Sequence, residues 1–168
     1  MGYWGYFVVG RGERPLTELE ALSSGAGDMI LRAEGPGGWQ VWEYPGVDGD
    51  VGNMNELARE TGAPALFGYV MDSRCVVVEA AAPQSGAWTT CLARAAMAGF
   101  LGAGDEGLTL EDYFLEPGDA AERAVAWAAE AGHEVNAEPL TDVLTSEPEP
   151  LAENLFFRML DRLGVVPL

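Results

Sequence analysis

The sequence predicts an α+β fold: a mainly antiparallel sheet of about five strands, with a helical C-terminal half packed on it. Three observations carry this. Over residues 1–82, short β-rich apolar runs alternate with capped helical segments in the order β-α-β-β-α-β-β. From Pro83 onward the apolar spacing becomes helical. The predicted strands are apolar on both faces, so both faces must be covered. Helices from the first half would cover one face and the C-terminal helices the other, in a single compact domain. The first six elements match the order of a split, ferredoxin-like βαββαβ unit, with a plain meander as the rival.

The elements follow from local signals. Trp4–Val9 is a β-rich opening run. Thr17-Glu18-Leu19-Glu20 has the form of a capping box and predicts a short helix to Leu22. Asp28–Ala33 and Trp39–Tyr44 read as hairpin partners around Gly35-Pro36-Gly37-Gly38. Asn53 can cap a helix that Gly62 stops. Two strands, Pro64–Met71 and Cys75–Ala81, flank the loop Asp72-Ser73-Arg74. Beyond them, Gly86–Leu101 is read as an Ala-rich helix, Asp119–Ala131 as a helix between Pro117 and Gly132, Glu138–Thr145 as a short helix, and Pro150–Leu163 as the last.

Charge narrows function. The 168 residues hold 27 acids against 9 arginines and no lysine, a formal charge of −18. Phosphate contacts need clustered basic residues, so this balance excludes nucleic-acid binding and docking on an anionic membrane. Residues 1–82 carry 12 acids and 5 arginines, net −7; residues 83–168 carry 15 and 4, net −11. Such a field attracts basic partners. The start lacks a basic leader region and no apolar run reaches membrane-spanning length, so a cytoplasmic protein is expected. Cys75 and Cys91, sixteen apart, are read as buried thiols.

Catalytic and cofactor motifs fail when tested. Gly102-Ala103-Gly104-Asp105-Glu106-Gly107 spells the dinucleotide fingerprint, but it follows a helix and would set two carboxylates beside the phosphates. A calcium loop starting at Asp48 would need a ligand at 52, Gly at 53 and Glu at 59; the chain has Gly52, Asn53 and Arg59. His133 is the single histidine, which excludes multi-histidine metal sites within one chain. There is no G-x-S-x-G elbow. No cofactor, metal or catalytic residue is therefore assigned.

The expected function is that of a non-catalytic binding protein that neutralises or chaperones a basic protein, in the manner of an immunity protein or antitoxin. Its expected contacts are Trp39, Trp42 and Tyr44 with the acidic loop residues Asp48 and Asp50, joined by Asp105, Glu106, Glu111 and Asp112. Aromatic faces and carboxylates together suit Arg or Lys side chains. The alternative is a small-molecule or enzyme pocket between the sheet and the C-terminal helices, lined by Glu43, Glu79, Arg32, Arg74 or Arg94. Glu79, in an otherwise apolar run, is expected to pair with one of those arginines. A third reading, a self-associating subunit, requires the helix Leu151–Leu163 to be half exposed.

Overall fold

The computed structural model describes residues 2–22, 26–46, 51–102, 110, 113–147 and 151–165. The strands are β1 (Gly5–Arg11), β2 (Ile30–Gly35), β3 (Trp39–Pro45), β4 (Ala65–Met71), β5 (Cys75–Ala82) and β6 (Gly86–Leu92). They form one sheet in the order β2-β3-β1-β4-β5-β6 with every neighbouring pair antiparallel. The helices are α1 (Met54–Thr61), α2 (Arg94–Gly102), α3 (Pro117–Glu130), α4 (Ala137–Thr145) and α5 (Ala152–Leu163). The first four strands take the β2-β3-β1-β4 order of a split βαββαβ unit, and β4, β5 and β6 continue as a meander.

Val8 and Val9 show why both faces are apolar. Adjacent strand residues point to opposite faces, and both are fully buried. Val9 packs with Trp39, Trp127, Phe156 and Leu163 under the C-terminal helices. Val8 packs with Leu16, Leu22, Leu57 and Phe67 under α1 and the turns before β2.

Each cover is locked by specific groups. Asn53 caps α1 by accepting the Asn55 N–H at 2.7 Å, and Gly62 ends it in the left-handed region. Trp127 on α3 is fully buried, and its Nε1–H reaches the carbonyls of both Ala65 and Ala81 at 3.1 Å. Phe156 on α5 lies over Gly68, where a Cβ would fall 2.5 Å from its ring. The Glu130 carboxylate at the end of α3 accepts the N–H groups of Gln84 and Ser85, tying down the β5–β6 turn.

Two expectations are corrected. The helix expected over Gly86–Leu101 begins only at Arg94, because Gly86–Leu92 is a sixth strand of the sheet. Trp88, Thr89, Thr90 and Cys91 favour extended backbone, and pairing with β5 outweighs the alanine content of the segment. Cys91 is thus a strand residue, fully buried, and not a helical one. The expected helix at Thr17–Leu22 is two 3₁₀ turns, Leu16–Glu18 and Glu20–Leu22. Its N–H groups are taken elsewhere: Leu16 donates to the Gln40 side chain, and Glu20 and Ala21 donate to the Glu60 carboxylate. The apolar stripe Leu155, Phe156, Met159, Leu160 and Leu163 of α5 is buried within the chain. The exposure that the self-association reading requires is confined to Leu151 ahead of the helix.

Candidate functional site

The α1 side of the sheet carries aromatic residues at alternate positions on three adjoining segments: Trp4 and Tyr6, Trp42 and Tyr44, Phe67 and Tyr69. Period-two spacing sends each pair to one face, and the register sets Tyr44, Tyr6 and Tyr69 side by side across β3, β1 and β4. Tyr6 stacks on Tyr69 with ring centroids 4.3 Å apart and planes 18° apart. It meets Tyr44 edge-on at 6.3 Å and Phe67 at 5.7 Å. Trp4 lies 6.2 Å from Tyr69. Trp42 is fixed by its Nε1–H, which donates to the Gln40 side chain at 2.8 Å. Except for Phe67, these rings are half-buried.

Phe67 joins this ladder to a carboxylate cleft. Opposite Phe67 on β5 stands Glu79, and opposite Glu79 on β6 stands Thr89. With Glu20 and Glu56 they line a cleft of about 620 Å³ between the Glu20–Leu22 turn, the first turn of α1 and the sheet. No arginine or histidine lines it among the described residues. Gly52 makes the close approach: its φ is +81°, and a Cβ there would fall 2.0 Å from the Ala21 carbonyl oxygen. Glu56 sits in the first turn of α1, where a carboxylate also offsets the positive end of the helix dipole. Burial raises the Glu79 carboxyl above its ordinary pKa. A second cleft, of about 670 Å³, has mixed charge, with Arg11, Arg14, Glu13 and Glu60 in its walls.

The predicted contact residues divide. Trp42 and Tyr44 belong to the ladder. Trp39 faces the other way, 1% exposed and 5.7 Å from the Trp127 ring, so it is core. Asp48, Asp50, Asp105, Glu106, Glu111 and Asp112 lie outside the described residues. Tyr6, Tyr69 and Phe67 were legible only as sheet aromatics. Their shared aromatic-x-aromatic spacing was the signal, and strand order was needed to place them together.

The five charges proposed for a pocket are not brought together. Arg32 pairs with Glu43, which also accepts the Tyr3 hydroxyl at 2.5 Å. Burial, then the bond to Glu43, raises the Tyr3 pKa. Arg74 ends the β4–β5 turn, and Arg94 donates to the Leu115 carbonyl at 3.1 Å. Glu79 is on the opposite face from Glu43 and pairs with none of these arginines; the ion pairs among the described residues are Arg32–Glu43 and Arg162–Asp161. The sheet–helix interface itself is filled by Trp39, Trp127, Phe156, Leu144 and Leu155.

Half-buried aromatic rings beside carboxylates can hold a guanidinium or ammonium group by cation–π and ionic contacts. Among the described residues, no group of three or more His, Cys, Asp or Glu side chains could hold a metal ion, and no helix is long and apolar enough to cross a membrane. Together the fold and this site define an acidic α+β protein with an aromatic and carboxylate sheet face. No family model, curated protein or solved structure matches the chain.

Proposed function

We propose that this is a non-catalytic binding protein that captures a basic protein partner on its α1-side sheet face and masks that partner's positive surface. One observation carries the reading: the Tyr44–Tyr6–Tyr69 ladder adjoins, through Phe67, the cleft of Glu20, Glu56 and Glu79, which no arginine lines among the described residues. Half-exposed rings supply contact area at low conformational cost, and the carboxylates supply charge complementarity. The net charge of −18 speeds the encounter with a cationic surface.

The test is affinity capture from host lysate at low salt, with salt-gradient elution and mass spectrometry, using the native chain beside Tyr6→Ser and Glu79→Lys. A stoichiometric basic protein that elutes as salt rises, and that both variants retain poorly, is the expected result. Capture that ignores salt and both substitutions overturns the reading.

A further inference from the structure

The two edges of the sheet are finished differently. Along β6, the Leu115 N–H donates to the Thr89 carbonyl at 3.0 Å and the Thr90 hydroxyl donates to the Leu115 carbonyl at 3.1 Å. Arg123 donates to the carbonyls of Ser85 and Ala87. That edge is capped. Along β2, hydrogen bonds from the Ile30–Gly35 backbone run to β3; the Val165 carbonyl lies against Gly35 at its end, and no other described residue bonds to the strand. An open edge is a row of unpaired donors and acceptors, a template for another strand. Ile30 and Leu31 are 44% and 41% exposed, two of the four large apolar side chains that stand exposed among the described residues. They point to opposite faces, so an added strand would find apolar contact on both sides.

We propose that the basic partner docks as an extended segment pairing with the outer edge of β2, a mode that rests on the reading above and specifies how the partner enters. Its side chains on the α1 side would lie beside Leu31, and Leu31 is opposite Trp42 in the register. Basic residues at alternate positions would thus reach over Trp42 toward the tyrosine ladder. A second copy of this chain is the poorer occupant, because it would bring another −18 to the same edge. The bulge between Leu31 and Ala33 and the charges of Arg32 and Glu34 also discourage indiscriminate edge pairing.

Amide hydrogen exchange on the full chain, with and without a synthetic octapeptide alternating Val and Arg at low salt, tests this. The expected result is a slowing of about tenfold or more across Ile30–Gly35 with β6 unchanged. The double variant Ile30→Lys, Leu31→Lys is expected to bind the peptide about tenfold more weakly while its thermal unfolding is preserved, since both side chains are exposed. Binding that protects the ladder strands but not β2 overturns strand addition and leaves the basic-partner reading standing. Protection of β2 that rises with protein concentration alone overturns it in favour of a second copy. No binding of the peptide overturns both.

Discussion

Tyr6 and Tyr69 stack across the β1–β4 boundary at 4.3 Å, and this pair is the hinge between the sheet's structure and its proposed use. Tyr6 also touches Tyr44 and Phe67, so one ring joins three strands. Replacing Tyr69 by Ala removes a stacked, half-buried ring. Urea denaturation is expected to show a loss of about 1–3 kcal/mol, and the basic partner captured from lysate is expected to bind more weakly. Unchanged binding in a folded Tyr69→Ala protein would remove the ladder from the site.

Gly52 brings the segment before α1 against Ala21 in the wall of the cleft. A Cβ there meets the Ala21 carbonyl and the positive φ opposes any L side chain. Gly52→Ala is expected to cost about 1–3 kcal/mol and to shift the first turn of α1 away from the Glu20–Leu22 turn. Thermal melts beside amide spectra check both effects; a neutral substitution would contradict the contact.

Glu79 links binding to pH. Burial raises its folded-state pKa above the unfolded value. Its protonated form therefore favours folding below that unfolded value, and its ionised form opposes folding as pH rises through the folded one. A bound cation needs the ionised form. Affinity for the captured basic partner is accordingly expected to rise as pH climbs above the ordinary carboxylate range. Glu79→Gln is expected to bind more weakly at neutral pH, with a shallower pH dependence and a slightly more stable fold. Equal pH profiles for the two proteins would show that Glu79 does not touch the ligand.

Cys75 gives an alkaline signature. Burial, with the neighbouring Cys91, pushes its thiol from an ordinary 9.0 up to about 12. The thiol's contribution to stability is complete below pH 9.0 and is lost as pH rises toward 12. Denaturation at about pH 11 should show a loss of about 2 kcal/mol from this group, which Cys75→Ala would remove. Tyr3 adds a loss of the same sign above its ordinary 10.0, and that part should persist in the variant. A flat profile to pH 11 would contradict the burial of both groups.

Much of the fold was legible because local signals agreed with tertiary ones. Asn53 and Gly62 bound α1 as their chemistry dictates, and the two-sided apolar strands required covers on both faces. Reading failed where side chains compete for backbone groups. Gln40 and Glu60 are distant in sequence from the turns they bond, so the 3₁₀ geometry of Leu16–Leu22 was not readable locally. The alanines of 93–98 extended the expected helix over Trp88–Cys91, whose partner strand is Cys75–Ala82. At the site, Trp42 and Tyr44 are identifiable as sheet aromatics on one face, whereas Trp39, on the other, is core rather than contact. Its neighbour across the interface, Trp127, is 88 positions away, and no local pattern reveals that contact.

The most direct measurement is an amide chemical-shift map of the isotope-labelled full chain titrated with the Val/Arg octapeptide at low salt and again at high salt. Shifts are expected along Ile30–Gly35 and at Trp42, Tyr44 and Tyr6, and they shrink as salt rises. Shifts confined to α3, α4 and α5 would contradict it, placing the attraction on the acidic helices and leaving the aromatic face as core.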